Sequence, residues 1–280
     1  MSYKTILVHV DTDKRCKQRL DFAAGMALSW GAHLIGLHLA TPARIPGYAQ
    51  TLAGNDFIQE VVRRQREQID ALGATFDQAM RRHGLVGSEW RWAIGDPEQQ
   101  AALHARYADL VIVGQNDPEE DKASGVTTAF PELLTLSCAR PVLTVPYAGT
   151  FAPTFEHILV CWKPSREATR AVTDAIPFLS RAKKVSILSV NPKTTAQGHG
   201  DIPGADLALY LSRHKVNATV ISYSAVKIDI GDQILSTAAD LGIDLIVMGA
   251  FGQARLREIV FGGVTALVSR SMTVPVLFSH

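Results

Sequence analysis

The segment KTILVHVD, residues 4–11, decides the fold, because it recurs in the second half of the chain as EHILVCWK, residues 156–163. Three further segments repeat in the same order, namely HLIGLHLATP (33–42) as KVSILSVNP (184–192), ADLVIVG (108–114) as IDLIVMG (243–249), and ARPVLTVPY (139–147) as TVPVLFSH (273–280). Four matched segments in one order indicate an internal duplication, so the sequence predicts two copies of one structural unit.

The repeated segments are predicted strands that alternate with helical patterns. In the first copy the predicted strands are Thr5–Val10, Leu34–Leu39, Trp90–Ile94, Leu110–Val113 and Val142–Val145. The predicted helices are Lys17–Trp30, a long helix ahead of the third strand, Glu98–Tyr107 and Phe130–Ser137. Strands that are apolar on both faces are typical of parallel strands covered by helices on both sides. With right-handed crossovers the pattern predicts an α/β fold with open, doubly wound sheets, which bind ligands at the carboxyl ends of their strands.

The linker AGTFAPTF, residues 148–155, separates the two copies and is rich in small, turn-prone and proline residues. We therefore predict a first domain over residues 1–147 and a second over residues 155–280. The first copy is longer because of the helix before its third strand, where apolar residues such as Phe57, Ile69 and Phe76 recur at helical spacing.

Composition and charge exclude several classes of function. The chain has 280 residues, of which 47% are hydrophobic, and a formal net charge of +1. That balance can supply two cores and gives no reason to expect a nucleic-acid or membrane partner. The start MSYKTILVHVD enters a strand directly, and no apolar run approaches the roughly 20 residues of a membrane helix, so we predict a cytoplasmic protein. Cys16, Cys138 and Cys161 are far apart, which predicts reduced thiols and no metal site.

The stretch GAFGQARLREIVFGGVTALV, residues 249–268, is the strongest candidate for a ligand site. Gly249 and Gly252 follow the fourth strand of the second copy, and Gly262 and Gly263 precede a helical pattern. Unpaired N–H groups and the dipole at a helix start favour an anion, so the spacing predicts a phosphate site. Other residues predicted to contribute are Arg255, Arg257 and Thr265. The alternative is that these glycines only form a turn and a cap.

The tandem segments ILVxVD, GD, DLIVMG and PVL resemble the universal stress protein family over essentially the whole chain. The resemblance implies two Rossmann-like (adenine nucleotide alpha hydrolase-like) domains, each with a five-stranded, mostly parallel sheet, and an adenine nucleotide, most often ATP, with or without Mg. It also implies that the last strands of two such domains pair, here as an intrachain pseudo-twofold dimer, and it leaves a further homodimer open. The family's nucleotide-binding members carry Gly-x-x-Gly, nine residues, then Gly-Ser or Gly-Thr. This chain departs from that motif at Gly263, and Thr265 is the candidate replacement for the hydroxyl.

The two copies diverge at the residues that the resemblance marks as functional. The family's acid at the end of the first strand is Asp11 in the first copy and Lys163 in the second. In the first copy only Gly114 and Gly125 of the glycine pattern remain, with four carboxylates between them (Asp117, Glu119, Glu120 and Asp121) that repel phosphate. We therefore predict a degenerate nucleotide loop in the first domain and a retained glycine loop in the second.

The nucleotide is predicted to lie in the second domain, with an apolar pocket for its base and the glycine loop around its phosphates. Trp162 either stacks on the base or fills the core. The residues predicted to bind the cofactor are Val160, Trp162, Lys163, Val190, Met248, Gly249, Gly252, Arg255, Gly262, Gly263, Val264 and Thr265. The GD pairs Gly95-Asp96 and Gly231-Asp232 predict aspartate caps on the helices that follow.

No nucleophile with a partner base and no Gly-x-x-x-x-Gly-Lys loop is found in the sequence, so we predict no enzyme beyond slow, incidental ATP hydrolysis. The leading hypothesis is a tandem universal stress protein whose second domain binds an ATP-like nucleotide and whose role is in stress response or signalling through unidentified protein partners. The alternatives are a nucleotide-independent scaffold and an ATP-dependent transferase.

Overall fold

A computed structural model of the chain describes residues 2–42, 54–119, 129–191, 204–223, 228–252 and 263–280. The elements of the first half are β1 (Thr5–His9), α1 (Cys16–Trp30), β2 (His33–Ala40), α2 (Gly54–His83), β3 (Ser88–Ile94), α3 (Pro97–Ala105), β4 (Leu110–Gly114), α4 (Phe130–Ser137) and β5 (Val142–Val145). Those of the second half are β6 (His157–Cys161), α5 (Arg166–Leu179), β7 (Lys184–Val190), α6 (Ala205–Arg213), β8 (Ala218–Tyr223), α7 (Ile230–Asp240), β9 (Leu245–Gly249), α8 (Val264–Ser271) and β10 (Val276–Ser279).

The strands in this part of the chain form one sheet in the order β3-β2-β1-β4-β5-β10-β9-β6-β7-β8. Each half therefore contributes five strands in the same internal order, and within each half all neighbours are parallel. Chain order reverses between β1 and β4 and again between β6 and β9, which is where an open α/β sheet opens a crevice for a ligand. The predicted α/β fold with two Rossmann-like halves is confirmed.

The two halves join through their last strands. β5 and β10 run antiparallel, with Leu143 opposite Leu277 at the centre of the contact. Both leucines are fully buried, as are Val142 and Val276 beside them. The strand pairing that the family resemblance implied is therefore present within the chain, and it makes the two sheets continuous.

Helices cover both faces of the sheet, as the doubly apolar strands predicted. The core under α1, α2, α5 and α6 runs through both halves. On the opposite face, the first half has a core under α3 and α4, and the second has one under α7 and α8. Side chains alternate between the faces along each strand, as Ile158 and Leu159 of β6 illustrate.

Aromatic side chains from both halves and the linker meet in the shared core. The ring centroid of Phe155, in the linker, lies 5.2 Å from that of Phe178 on α5, and the centroid of Tyr3 lies 5.0 Å from Phe178. The Tyr3 hydroxyl donates to the carbonyl oxygen of Asp174, 2.6 Å away. The linker therefore packs against both halves.

The long helix α2 packs on the sheet through the end nearest β3. Phe76 is fully buried over β2, where a Cβ on Gly36 would lie 2.5 Å from the Phe76 ring, so only glycine leaves room there. Phe57, which the helical spacing placed on the same face, is 43% exposed, so the first part of α2 does not bury it. None of the helices in the described ranges is long and apolar enough to cross a membrane.

The two GD pairs differ in how the next helix begins. Asp96 caps α3, and its carboxylate accepts a hydrogen bond from the Gln99 N–H at 2.9 Å. In the second half the cap is Asp229, which accepts from the Gly231 N–H at 2.8 Å. The prediction that Asp232 caps that helix is wrong. Helix α7 begins at Ile230, two residues before Asp232, so Asp232 lies in its first turn.

Candidate functional site

A cavity of about 800 Å³ opens at the carboxyl ends of β6 and β9, between the starts of α5 and α8. It lies at the point where chain order in the second half reverses. Its walls include the apolar side chains of Leu188, Val190, Ile234 and Met248. They also include Gly252, Gly263, Val264 and Thr265 and the first turn of α5.

The structure brings most of the predicted cofactor-binding residues together around this cavity. They are Trp162, Lys163, Val190, Met248, Gly249, Gly252, Gly263, Val264 and Thr265. Arg255, Arg257 and Gly262 lie outside the described residues. Trp162 both lines the cavity and packs against the shared core, so the two interpretations of this side chain are compatible.

Val160 does not line the cavity, so the prediction that it contacts the cofactor is corrected. Its side chain is fully buried in the core under α5, on the opposite face of the sheet from Met248. Neighbouring residues of a strand point to opposite faces, so Cys161, and not Val160, reaches the cavity wall from β6. Burial in this apolar wall raises the pKa of the Cys161 thiol to about 12, so the thiol is neutral.

The two glycines of Gly-x-x-Gly, Gly249 and Gly252, differ in what surrounds them. A Cβ on Gly249 would lie 2.5 Å from the Ala168 amide nitrogen and 2.6 Å from the Glu167 carbonyl carbon, so glycine is required there by the packing of β9 against α5. The expectation that Gly249 leaves room for a ligand is therefore corrected. Among the described residues, a Cβ on Gly252 would meet no atom within 4 Å. Of these two glycines, Gly252 is the one beside the open space that a phosphate needs.

The loop that begins at Gly249 is fixed by hydrogen bonds. The Ala250 N–H donates to the Ser279 carbonyl oxygen at 2.8 Å, and the His280 ring lies 2.9 Å from the Ala250 carbonyl oxygen. Phe251 has a left-handed backbone, with φ of 49°, and its N–H donates to Thr265 Oγ1 at 3.3 Å. The Thr265 hydroxyl thus ties the loop to α8 and still has its own proton to donate.

Helix α8 presents an uncapped N-terminus to the cavity. Its cap residue is Gly263, which has no side chain to accept a hydrogen bond from the first turn. The first N–H groups of a helix have no partner within the helix, and the helix dipole is positive at that end. Val264, Thr265 and Ala266 of this turn all line the cavity, so the geometry suits a bound anion.

The start of α5 forms the other side of the cavity, and sequence reasoning missed it. Ser165 caps this helix and accepts from the Ala168 N–H at 3.3 Å. Lys163, Arg166 and Glu167 add charged groups to the wall. A usable signal was present, because the segment KPSREA begins a helix directly after β6, at the same sheet edge as the glycine loop.

The matching place in the first half is filled by a buried ion pair. Arg19 is 3% exposed, and its guanidinium contacts the position that a Cβ on Gly114 would take. Its Nη2 lies 2.6 Å from Asp11 Oδ1, and its Nε donates to the His9 carbonyl oxygen at 3.1 Å. Burial alone would raise the pKa of Asp11, but Arg19 and His9 outweigh it and hold that pKa well below its usual range.

The cavity beside Arg19 has a volume of only about 10 Å³. That is on the order of a single water molecule. In the matched segments DKRCKQRLDFA and SREATRAVTDA, Ala171 stands where Arg19 does. Of the acidic loop, Asp117 accepts from the Glu119 N–H at 2.9 Å, while Glu120, Asp121 and Gly125 lie outside the described residues. No group of three or more His, Cys, Asp or Glu residues suited to a metal occurs within the described ranges.

Comparison with known proteins agrees with the duplicated architecture. A sequence profile of the Universal stress protein family matches residues 2–126 and again 154–280. Universal stress protein Slr1230 of Synechocystis sp. is 27% identical over 172 residues, which cover 60% of this chain and 57% of that protein. The chain thus spans little more than half the length of this relative.

Two solved structures share the fold along nearly the whole chain. A universal stress protein from Archaeoglobus fulgidus DSM 4304 superimposes with a TM-score of 0.71 at 16% identity, over 98% of this chain and 97% of that one. The functionally unknown protein PA1789 from Pseudomonas aeruginosa superimposes with a TM-score of 0.60 at 17% identity, over 99% and 92%.

Proposed function

Because the chain belongs to the universal stress protein family, with one domain of that family in each half, we propose that its second domain binds an adenine nucleotide, ATP or a close relative, with or without Mg. The nucleotide occupies the cavity between α5 and α8. The first domain serves as its structural partner.

One observation carries the proposal. The uncapped start of α8 and the open space beside Gly252 face the same cavity as an apolar wall that contains Val190 and Met248. A ligand that matches both the apolar wall and the helix start has a flat apolar part and an anionic part, as a nucleotide does. Small-molecule sites typically have volumes of about 300–1,000 Å³, and this cavity, of about 800 Å³, falls within that range.

The first domain does not offer the same space, since Arg19 fills it. Its Asp11 is engaged by Arg19 and His9, so it is not available to a ligand. This supports a single nucleotide per chain, bound in the second domain.

The role we propose is binding and not turnover. The ionisable side chains among the described lining residues are those of Cys161, Lys163, Arg166 and Glu167. A neutral Cys161 thiol is not an activated nucleophile. We therefore expect hydrolysis of ATP to be slow and incidental, and nucleotide occupancy to be read by protein partners in stress response or signalling.

Release of nucleotide from the purified protein tests the proposal directly. The folded protein is denatured, the supernatant is analysed for adenine nucleotides, and the emptied protein is titrated with ATP and AMP by calorimetry with and without Mg. Gly252→Val should abolish binding, because it fills the open space of the cavity. Gly87→Val is the matched control, since Gly87 is exposed and a Cβ there would meet only His33, at 3.7 Å or more. A folded protein that gives no heat with any adenine nucleotide would refute the proposal.

A nucleotide-independent scaffold is the second candidate, and Lys163 favours it. This cation lines the cavity at the position where nucleotide-binding relatives are expected to carry an acid. A scaffold would keep its protein partners in the Gly252→Val variant, whereas a nucleotide-gated protein would lose them.

A further inference from the structure

The cavity wall contains a buried carboxylate that the proposed nucleotide site leaves without a role. Glu167 is 5% exposed and lines the cavity. Its Oε1 has no hydrogen-bond partner among the described groups, and Arg166 Nε, 3.9 Å away, is too far for a hydrogen bond. A buried carboxylate that lacks donors is unfavourable, so the Glu167 side chain in this cavity wall is suited to a donor that arrives with the ligand.

Glu167 lies beside the first glycine of the loop. A Cβ on Gly249 would be 2.9 Å from Glu167 Cβ, so the glutamate stem packs directly on that glycine. Along the chain, Gly249 follows Met248 of the apolar wall and precedes Gly252 beside the open phosphate space. In a nucleotide that spans the cavity, the part between the base and the phosphates is the sugar.

The sequence repeat shows that the two copies carry opposite charges at two matching positions. The first copy has Asp11 at the strand end and an exposed Arg15 four residues later. The second copy has the opposite charges at the matching positions, Lys163 and then Glu167. No ion pair joins Lys163 to Glu167 in the structure, so the carboxylate is not there to neutralise that lysine.

We propose that Glu167 binds the ribose hydroxyls of the nucleotide in the second domain and takes over the recognition lost at Lys163. This inference rests on the proposed function. A carboxylate can accept hydrogen bonds from both hydroxyls of a ribose, as an acid does in dinucleotide-binding folds, whereas a lysine cannot accept any.

A comparison of two ligands tests the assignment. Affinities of ATP and 2′,3′-dideoxy-ATP are measured by calorimetry for the wild type, Glu167→Gln and Asp232→Asn. The last is the control, because it removes one exposed carboxylate outside the cavity wall. Wild type and Asp232→Asn should bind ATP at least about 10-fold more tightly than the dideoxy analogue, as expected for hydrogen bonds to a charged group. Glu167→Gln should bind the two ligands within about 3-fold of each other.

Each outcome separates the assignment from the proposed function. Equal binding of ATP and dideoxy-ATP by the wild type overturns the role of Glu167 and leaves nucleotide binding intact. Discrimination that is undiminished in Glu167→Gln assigns the hydroxyls to another group and also overturns it. No binding of ATP by the wild type overturns both. The ratio of two ligands on one sample is independent of the folded fraction, and the wild-type comparison requires no variant to fold.

Discussion

Arg19 Nη2 lies 2.6 Å from Asp11 Oδ1 in the first half, and neither residue has a counterpart of its kind in the second, where Ala171 and Lys163 stand. The second half therefore lacks both members of this ion pair. Loss of the arginine alone would leave a buried carboxylate without its partner, which is costly. The absence of the pair also accounts for the difference in space, since the Arg19 guanidinium fills the crevice that the second half leaves open.

The first prediction concerns the stability of the first domain. Arg19→Ala should lower the free energy of unfolding by about 3–5 kcal/mol, because it leaves Asp11 buried without its main partner. The double variant Arg19→Ala/Asp11→Asn should recover part of that loss, and urea unfolding measures both. Arg15→Ala, an exposed cation near the same helix start, should change stability by less than about 0.5 kcal/mol. Equal losses at Arg19 and Arg15 would contradict this account of the pair.

The second prediction concerns pH. The pKa of Asp11 in the folded protein is well below its usual value, so its contribution to stability is fully present above the pKa of the unfolded chain, about 3.9, and is lost as pH falls towards the folded value. The stability difference between wild type and Asp11→Asn should therefore be constant from pH 7 to about pH 5 and shrink below about pH 4. Urea unfolding at each pH measures it, and a difference that grows with acid would have the wrong sign.

The third prediction separates the two glycines of the loop. Gly249→Ala should cost about 1–3 kcal/mol, because its Cβ would overlap the first turn of α5. Gly252→Ala should change stability by less than about 0.5 kcal/mol, because no atom of the described residues lies near its Cβ. Thermal unfolding of the pair is a sufficient test. Similar costs at both positions would show that Gly252 is also a packing glycine.

These glycines show how far sequence reasoning reaches. The strands were predictable because buried parallel strands are continuous apolar runs, and the repeat showed four of the five strands of each half twice. Gly249 and Gly252 look alike in sequence, and only the position of α5 separates packing from open space. Arg19 and Glu167 were missed for a related reason, since charged residues near helix starts are usually exposed and burial depends on what the sheet edge brings against them.

The fourth prediction concerns the Thr265 hydroxyl. Thr265→Val keeps the shape of the side chain but removes the acceptor of the Phe251 N–H, and should cost about 1 kcal/mol in urea unfolding. If this hydroxyl also donates to a phosphate, the variant should weaken ATP binding while adenosine binding stays unchanged, as calorimetry measures. Thr265→Ser keeps the hydroxyl and is the matched control. Equal weakening of ATP and adenosine would assign the hydroxyl to the loop alone.

The fifth prediction concerns the contact between the halves that holds α8. Gln115, directly after β4, is 4% exposed, and its Nε2 donates to the carbonyl oxygens of Ser269 and Arg270, each at 2.9 Å. Its Oε1 accepts from the Tyr147 N–H at 3.2 Å. A side chain of the first domain thus supplies hydrogen bonds to carbonyls at the end of the helix whose other end faces the candidate phosphate space, and helix ends need such partners.

Gln115→Leu should therefore lower the free energy of unfolding by about 1–3 kcal/mol, since it leaves buried backbone groups of both halves without partners. Gln18→Leu is the control, because Gln18 Nε2 also makes two hydrogen bonds, to the Gly149 carbonyl oxygen at 2.7 Å and to Thr150 Oγ1 at 3.0 Å, but near the surface. The control should cost less than about 0.5 kcal/mol, because water replaces those partners. Urea unfolding followed by tryptophan fluorescence compares the two. A larger loss at Gln18 would mean that burial is not what gives the Gln115 bonds their strength.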